Sequence, residues 1–111
     1  MKNILIINGH PNPSSFNFAL AEAYKKGALQ SDAKVETITI ANLKFNPNLQ
    51  FGYQKRTELE PDLLESWEKI KRADHLVWIH PVWWGGLPAI TKGFIDRLFL
   101  PGMTFQYREN S

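Results

Sequence analysis

Two short stretches of the sequence carry residues suited to ligand chemistry. The first, NGHPNPSSFN, runs from Asn8 to Asn17 and places hydroxyl groups just before the expected start of a helix. Hydroxyls and unpaired backbone N–H groups at a helix N-terminus can bind an anion such as a phosphate. The same residues, Ser14 or Ser15, suit an ordinary helix N-cap equally well, so this stretch alone leaves both interpretations open.

The second stretch, HPVWWGGLP, combines two tryptophans with two glycines. Gly85 and Gly86 allow close approach of the backbone, while Trp83 and Trp84 can flank a flat aromatic ligand. Simple packing is the alternative, but both tryptophans lie at the end of an expected strand, and ligand pockets are commonly lined by aromatic side chains. A phosphate site on one loop and a planar-ring site on another together indicate a flavin nucleotide.

The composition limits the classes of protein to which the chain can belong. Its 111 residues, 43% of them hydrophobic, predict one domain over residues 1–111. The net charge is only +2 and the basic residues are scattered, so no nucleic-acid partner is expected. The absence of cysteine excludes disulfides and thiolate chemistry. With a first apolar run too short for a signal peptide, we expect a cytoplasmic protein.

The first half of the chain predicts two strands, one helix and a long connection. Ile4 to Ile7 is an uninterrupted aliphatic run, typical of a central strand buried on both faces. Apolar residues recur at helical spacing from Phe16 to Ala28, and the alternating, β-branched stretch from Val35 to Ile40 fits an edge strand. The polar stretch from Asn42 to Glu60 is long enough to be functional or mobile.

The second half continues the alternation. A helix is expected to start near Pro61, the segment DHLVWIHP predicts a buried strand, and Pro88 opens a third helix. Three polar side chains of the third helix are predicted to face solvent: Lys92, Asp96 and Arg97. The last two are expected to form a solvated ion pair. The β-α-β-α-β-α order predicts a doubly wound parallel sheet, in which ligands bind beyond the carboxyl ends of the strands. If the first strand lies between the other two, the two loops are neighbours.

Two motifs, GHPNPSSFNFALAEAY and HPVWWGGLPAITKGFIDRLFLPGMTFQY, resemble the flavodoxin-like NAD(P)H quinone oxidoreductases, the DT-diaphorase and modulator-of-drug-activity group. The resemblance covers essentially all 111 residues. It implies a flavodoxin-like fold and FAD or FMN as cofactor. The first loop would contact the flavin phosphate through His10, Ser15, Phe16 and Asn17. The second would carry the isoalloxazine through Pro81, Val82, Trp83, Trp84 and Gly85. Gly85 stands where several family members have an aromatic residue against the ring.

The resemblance also implies the reaction and the assembly. NAD(P)H would be the co-substrate in a ping-pong mechanism that passes hydride through the flavin to a quinone, and the protein would be a homodimer. The family continues through a fourth and a fifth strand, so the chain is interpreted as the N-terminal portion of a family member, a fold truncated after the third β-α unit. The family's Tyr/His pair that assists hydride transfer lies in that missing part, and no catalytic acid is identified here.

Three alternatives remain open. Some relatives are ancillary subunits of potassium-efflux transporters and sense redox state through the flavin site, which would give this chain a membrane-transporter partner. An electron-transfer flavodoxin would favour an acidic surface and a Thr/Ser-Gly-rich phosphate loop. A non-catalytic truncated family member is the third. No metal site is expected, because the histidines lack ligand spacing; His75 is predicted to lie on the surface and His80 to be structural.

Overall fold

A computed structural model describes residues 2–12, 15–52, 54 and 58–99. In this part of the chain three parallel strands form one sheet in the order β2-β1-β3. The strands are β1 (Asn3–Asn8), β2 (Lys34–Thr39) and β3 (His75–Ile79). The helices are α1 (Phe16–Gln30), α2 (Pro61–Arg72) and α3 (Ala89–Leu98), with a short 3-10 helix at Ile40–Asn42. The predicted α/β architecture, a doubly wound parallel sheet with the first strand central, is confirmed.

The hydrophobic core lies between the sheet and two helices. Leu5 and Ile7 of β1 pack there with Leu63 of α2 and Phe94 of α3, and all four side chains are fully buried. Ile6 is also fully buried and lies on the opposite face, because side chains alternate along a strand. Both faces of β1 are therefore covered, which explains why its sequence is continuously aliphatic.

The face of the sheet opposite this core is covered by α1 through small side chains. Ala21 and Ala28 are its buried hydrophobic residues, and short side chains let the helix approach the strands closely. The apolar spacing of Phe16, Leu20 and Tyr24 predicted the helix correctly, but these three side chains are exposed. Helical spacing identified the element without identifying the face that packs.

Arg97 corrects the prediction that the polar side chains of the third helix face solvent. Lys92 and Asp96 do form an exposed ion pair, but Arg97 is only 2% exposed and pairs with Glu60 instead. Its Nη2 atom lies 2.6 Å from Glu60 Oε1, and Nη1 lies 3.2 Å from Oε2. This bidentate contact satisfies a charge that would be costly to bury alone. The Arg97 guanidinium also holds the pKa of the Glu60 carboxyl below its usual value.

The long connection predicted to be functional or mobile is anchored at several described points. Arg97 donates to the backbone carbonyls of Asn46 and Glu58, and the Asn46 N–H donates to Glu60 Oε2 over 2.6 Å. Pro47 lies directly against Gly93 of α3. The parts of the connection around Asn46 and Glu58 are therefore held against α3. Within the described residues, no helix is long and apolar enough to cross a membrane.

Candidate functional site

The two chemistry-bearing loops lie at the same edge of the sheet. β1 and β3 are hydrogen-bonded parallel neighbours, so the loops that follow them emerge side by side. The Gly9 N–H donates to the Ile79 carbonyl over 2.8 Å, and the rings of His10 and Trp83 meet edge to face with their centroids 5.6 Å apart. The two loops are thus in direct contact, as the predicted strand order requires.

The loop after β1 is shaped by short side-chain to backbone hydrogen bonds. The His10 N–H donates to Asn8 Oδ1 over 3.1 Å, and the Asn12 N–H donates to His10 Nδ1 over 2.9 Å. Because Nδ1 accepts a hydrogen bond, the neutral His10 ring carries its proton on Nε2. His10 is half-buried and can therefore present a fixed N–H donor to an acceptor at the loop.

The N-terminus of α1 has unsatisfied donors. Ser15, one of the two capping candidates, occupies the N-cap position, but its side chain makes no capping hydrogen bond. Its hydroxyl is buried and has no hydrogen-bond partner among the described residues. Phe16 is exposed and Asn17 half-buried at the first turn, where helix N–H groups lack intrahelical acceptors. Ser14, the other capping candidate, lies outside the described residues.

The loop after β3 is a tight two-residue turn that displays Trp84. Trp83 and Gly86 exchange both backbone hydrogen bonds at 3.0 Å, and the two residues between them, Trp84 and Gly85, have φ angles of 53° and 74°. Two positive φ angles are the signature of a type I′ turn, which favours Asn and Gly at these positions. A fully exposed tryptophan in the left-handed region is therefore unfavourable in two respects. Such backbone strain is typical of binding sites.

The other residues predicted for the ring-binding loop lie around this turn. Pro81 is half-buried, while Val82, Trp83 and Gly85 are exposed. The turn hydrogen bonds occupy the Trp83 N–H, whereas the N–H groups of Trp84 and Gly85 have no acceptor among the described residues. Of the backbone donors predicted between Trp83 and Gly85, two therefore lack an acceptor in the described part of the chain and can meet a ligand. Among the described residues, His10 and Trp83 are the only aromatic pair in contact between the two loops.

The histidine at the end of β3 is held by its own loop. His80 is half-buried, and its Nδ1 lies 3.0 Å from the Pro81 carbonyl oxygen, which can only accept a hydrogen bond. His75, predicted to lie on the surface, is exposed. Within the described residues, no three His, Cys, Asp or Glu side chains cluster to hold a metal ion.

Thr91 of α3 connects the helix to the first loop, a role that the sequence analysis missed. Its hydroxyl donates to the Gly9 carbonyl, and both residues are buried. A Cβ atom at Gly9 would lie 2.6 Å from Thr91 Oγ1, so glycine is needed for this close approach. A lone threonine within a helical stretch gives no sequence signal for such a contact. The outcome is that α3 fixes the position of the loop after β1.

The strain at Trp84 can be separated from general folding effects by a matched pair of variants. Asp32, in the turn after α1, is the other described non-glycine residue with a positive φ, 64°. Trp84→Gly and Asp32→Gly should each leave stability unchanged or raise it by up to about 1 kcal/mol, because glycine adopts this backbone conformation without steric cost. Urea unfolding followed by circular dichroism measures this. A loss of more than about 1 kcal/mol in Trp84→Gly would mean that the ring supports the fold.

Comparison with known proteins gives a family match over nearly the whole chain. A family model described as a flavodoxin-like fold matches residues 2–111. Among solved structures, an NAD(P)H:quinone oxidoreductase from Methanothermobacter marburgensis superposes with a TM-score of 0.82 at 32% identity. That match covers 96% of this chain and 57% of the other chain.

Two curated relatives give the same picture. NAD(P)H dehydrogenase (quinone) 1 of Cavia porcellus is 28% identical over 96% of this chain and 46% of its own length. An uncharacterized NAD(P)H oxidoreductase of Haemophilus influenzae is 30% identical over 94% of this chain and 54% of its own length. The chain therefore spans about half the length of the curated relatives it matches.

Proposed function

The chain belongs to the flavodoxin-like fold family. From this premise we propose that it binds a flavin nucleotide, FMN or FAD, and acts as an NAD(P)H oxidoreductase. The names of the relatives, two of which are quinone reductases and one an NAD(P)H oxidoreductase, support this class of activity. A quinone is the proposed electron acceptor. The homodimer implied by the family resemblance is part of the same proposal.

The observation that carries the proposal is the contact between the two loops. His10 of the first loop touches Trp83 of the second, so the loop that leads to the N-terminus of α1 and the aromatic turn are in direct contact. The chemistry of the donors fits the ligand, since the buried Ser15 hydroxyl has no described partner and the Trp84 ring is fully exposed. An anion and a flat ring on one molecule would satisfy both features at once.

Each part of the site has a distinct proposed task. The first-turn N–H groups of α1, the Ser15 hydroxyl and the His10 Nε2–H would bind the phosphate. The Trp83 and Trp84 rings would flank the isoalloxazine, while the free N–H groups of Trp84 and Gly85 would donate to its polar edge. Pro81 and Val82 would line the base of the loop. When bound, the flavin would supply hydride acceptance from NAD(P)H and two-electron delivery to a quinone.

The experiment that tests this function combines binding and turnover. FMN and FAD are titrated into the purified protein while tryptophan fluorescence is recorded, and NAD(P)H oxidation is then followed with and without a quinone. We expect saturable quenching and quinone-dependent oxidation. Quenching without oxidation would support flavin binding and contradict the enzymatic part, whereas no quenching with either flavin would contradict both.

The turn variants give this test its control. Trp84→Gly should weaken flavin affinity by about tenfold, because it removes one stacked ring while the strained turn relaxes. Asp32→Gly makes the same backbone change just before the N-terminal end of β2, at the edge of the sheet opposite the two loops, and should leave flavin affinity unchanged. Equal flavin affinities in the two variants would show that Trp84 does not take part in flavin binding.

A further inference from the structure

Asn8, the last residue of β1, has a buried side-chain amide that takes part in none of the flavin contacts proposed above. The residue is only 3% exposed, and its side-chain Nδ2 has no hydrogen-bond partner among the described residues. A buried donor without an acceptor is destabilising, because it has lost its hydrogen bonds with water. Asn8 was not among the residues predicted from the sequence, because strand pattern alone gives no reason to select it.

The orientation of the Asn8 amide is fixed by its other hydrogen bond. The His10 N–H donates to Oδ1 over 3.1 Å, and only the carbonyl oxygen of the amide can accept. The NH₂ group is therefore the one without a partner. It offers two N–H donors, so the missing ligand group must be an acceptor.

The position of Asn8 points to the same helix N-terminus as the proposed phosphate site. Leu5 and Ile7 face the core formed with α2 and α3, so Asn8 lies with Ile6 on the face covered by α1. Asn8 ends β1 at the carboxyl edge of the sheet, where α1 starts after Ser15. The hydroxyl of Ser15 is the second buried group there without a described partner.

We infer that Asn8 Nδ2 and the Ser15 hydroxyl together donate to a phosphoryl oxygen held at the N-terminus of α1. The inference rests on the proposed flavin function and adds to it that Asn8 contributes to the preference of the site for phosphorylated flavins over riboflavin. An oxyanion satisfies both donors and interacts favourably with the helix N-terminus. The same amide, through Oδ1, orients the loop that carries His10.

The test compares FMN with riboflavin in wild-type protein and in Asn8→Asp. The aspartate keeps the oxygen that accepts from His10 but replaces the NH₂ group with a negative oxygen. FMN affinity should fall by at least about tenfold through lost donation and charge repulsion, while riboflavin affinity stays unchanged. Inorganic phosphate should compete with FMN and not with riboflavin in the wild type.

Two further variants control for charge and folding. Asn3→Asp adds the same charge at the opposite end of β1 and should leave the affinities for both flavins unchanged. Asn8→Leu removes the donor without adding charge and should also reduce the preference for FMN, which covers the case that Asn8→Asp does not fold. Equal affinity changes for FMN and riboflavin, or no change for either, would overturn the inference alone. Failure of the wild type to bind any flavin would overturn the proposed function as well.

Discussion

Replacing Arg97 with methionine is expected to destabilise the protein by about 3 kcal/mol. The substitution keeps a long, helix-compatible side chain but removes the bidentate contact with Glu60 and the donors to the Asn46 and Glu58 carbonyls. Arg97 is almost completely buried, so water cannot replace these bonds within the packed side of α3. Urea unfolding measures the change in the free energy of unfolding.

The matched control on the same helix is Lys92→Met, which breaks the exposed pair with Asp96. Exposed pairs contribute little, so a loss below about 1 kcal/mol is expected. If the two methionine variants were equally stable, the buried pair would not stabilise the connection between the 3-10 helix and α2.

Acid unfolding gives an independent measure of the same pair. The pKa of Glu60 is lowered in the folded protein, chiefly by its hydrogen bonds with Arg97. Its contribution is therefore present above the ordinary carboxyl pKa and is lost as the pH falls through the lowered value. The stability of Arg97→Met should fall less with acid than that of the wild type. Glu36, whose pKa is lowered by Arg72, retains its own contribution in both proteins.

Gly93→Ala is expected to destabilise the protein by about 2 kcal/mol or more through overpacking. A Cβ atom at Gly93 would lie 2.3 Å from Pro47 Cβ and 2.7 Å from the Pro47 carbonyl oxygen. Both contacts are far below van der Waals distance, and the backbone around Pro47 would have to move. The free energy of unfolding and the urea midpoint report the loss.

Gly27→Ala makes the same change in α1, where an added Cβ meets nothing within 4 Å. Because alanine is the better helix former, this variant should gain about 0.5–1 kcal/mol. A gain in Gly93→Ala similar to that in Gly27→Ala would show that the contact between Pro47 and α3 does not exist in solution.

The sequence was sufficient to predict the parts of the fold that depend on local pattern. The aliphatic run of β1 indicated a strand buried on both faces, and the alternation of strands and helices indicated a parallel sheet. The neighbouring positions of the two loops followed from that topology. The contact between His10 and Trp83 was therefore predictable as a juxtaposition, though not as a particular pair of rings.

The features that were missed or wrongly predicted depend on partners distant in sequence. Arg97 has the spacing of a solvent-facing residue, and only the folded structure brings Glu60, at the start of α2, next to it. Thr91 reaches the loop after β1 from a position 82 residues later in the chain. Asn8 becomes notable only once its amide is seen to be buried and half satisfied. Side-chain burial of this kind is set by tertiary packing and leaves no periodic signal.

Amide and indole chemical shifts recorded during an FMN titration test the central claim most directly. If one ligand spans both loops, the amides of Ser15, Phe16 and Asn17 and the indole signals of Trp83 and Trp84 should shift together with a single dissociation constant. Shifts confined to one loop, or centred elsewhere on the protein, would contradict a shared flavin site at the carboxyl ends of β1 and β3.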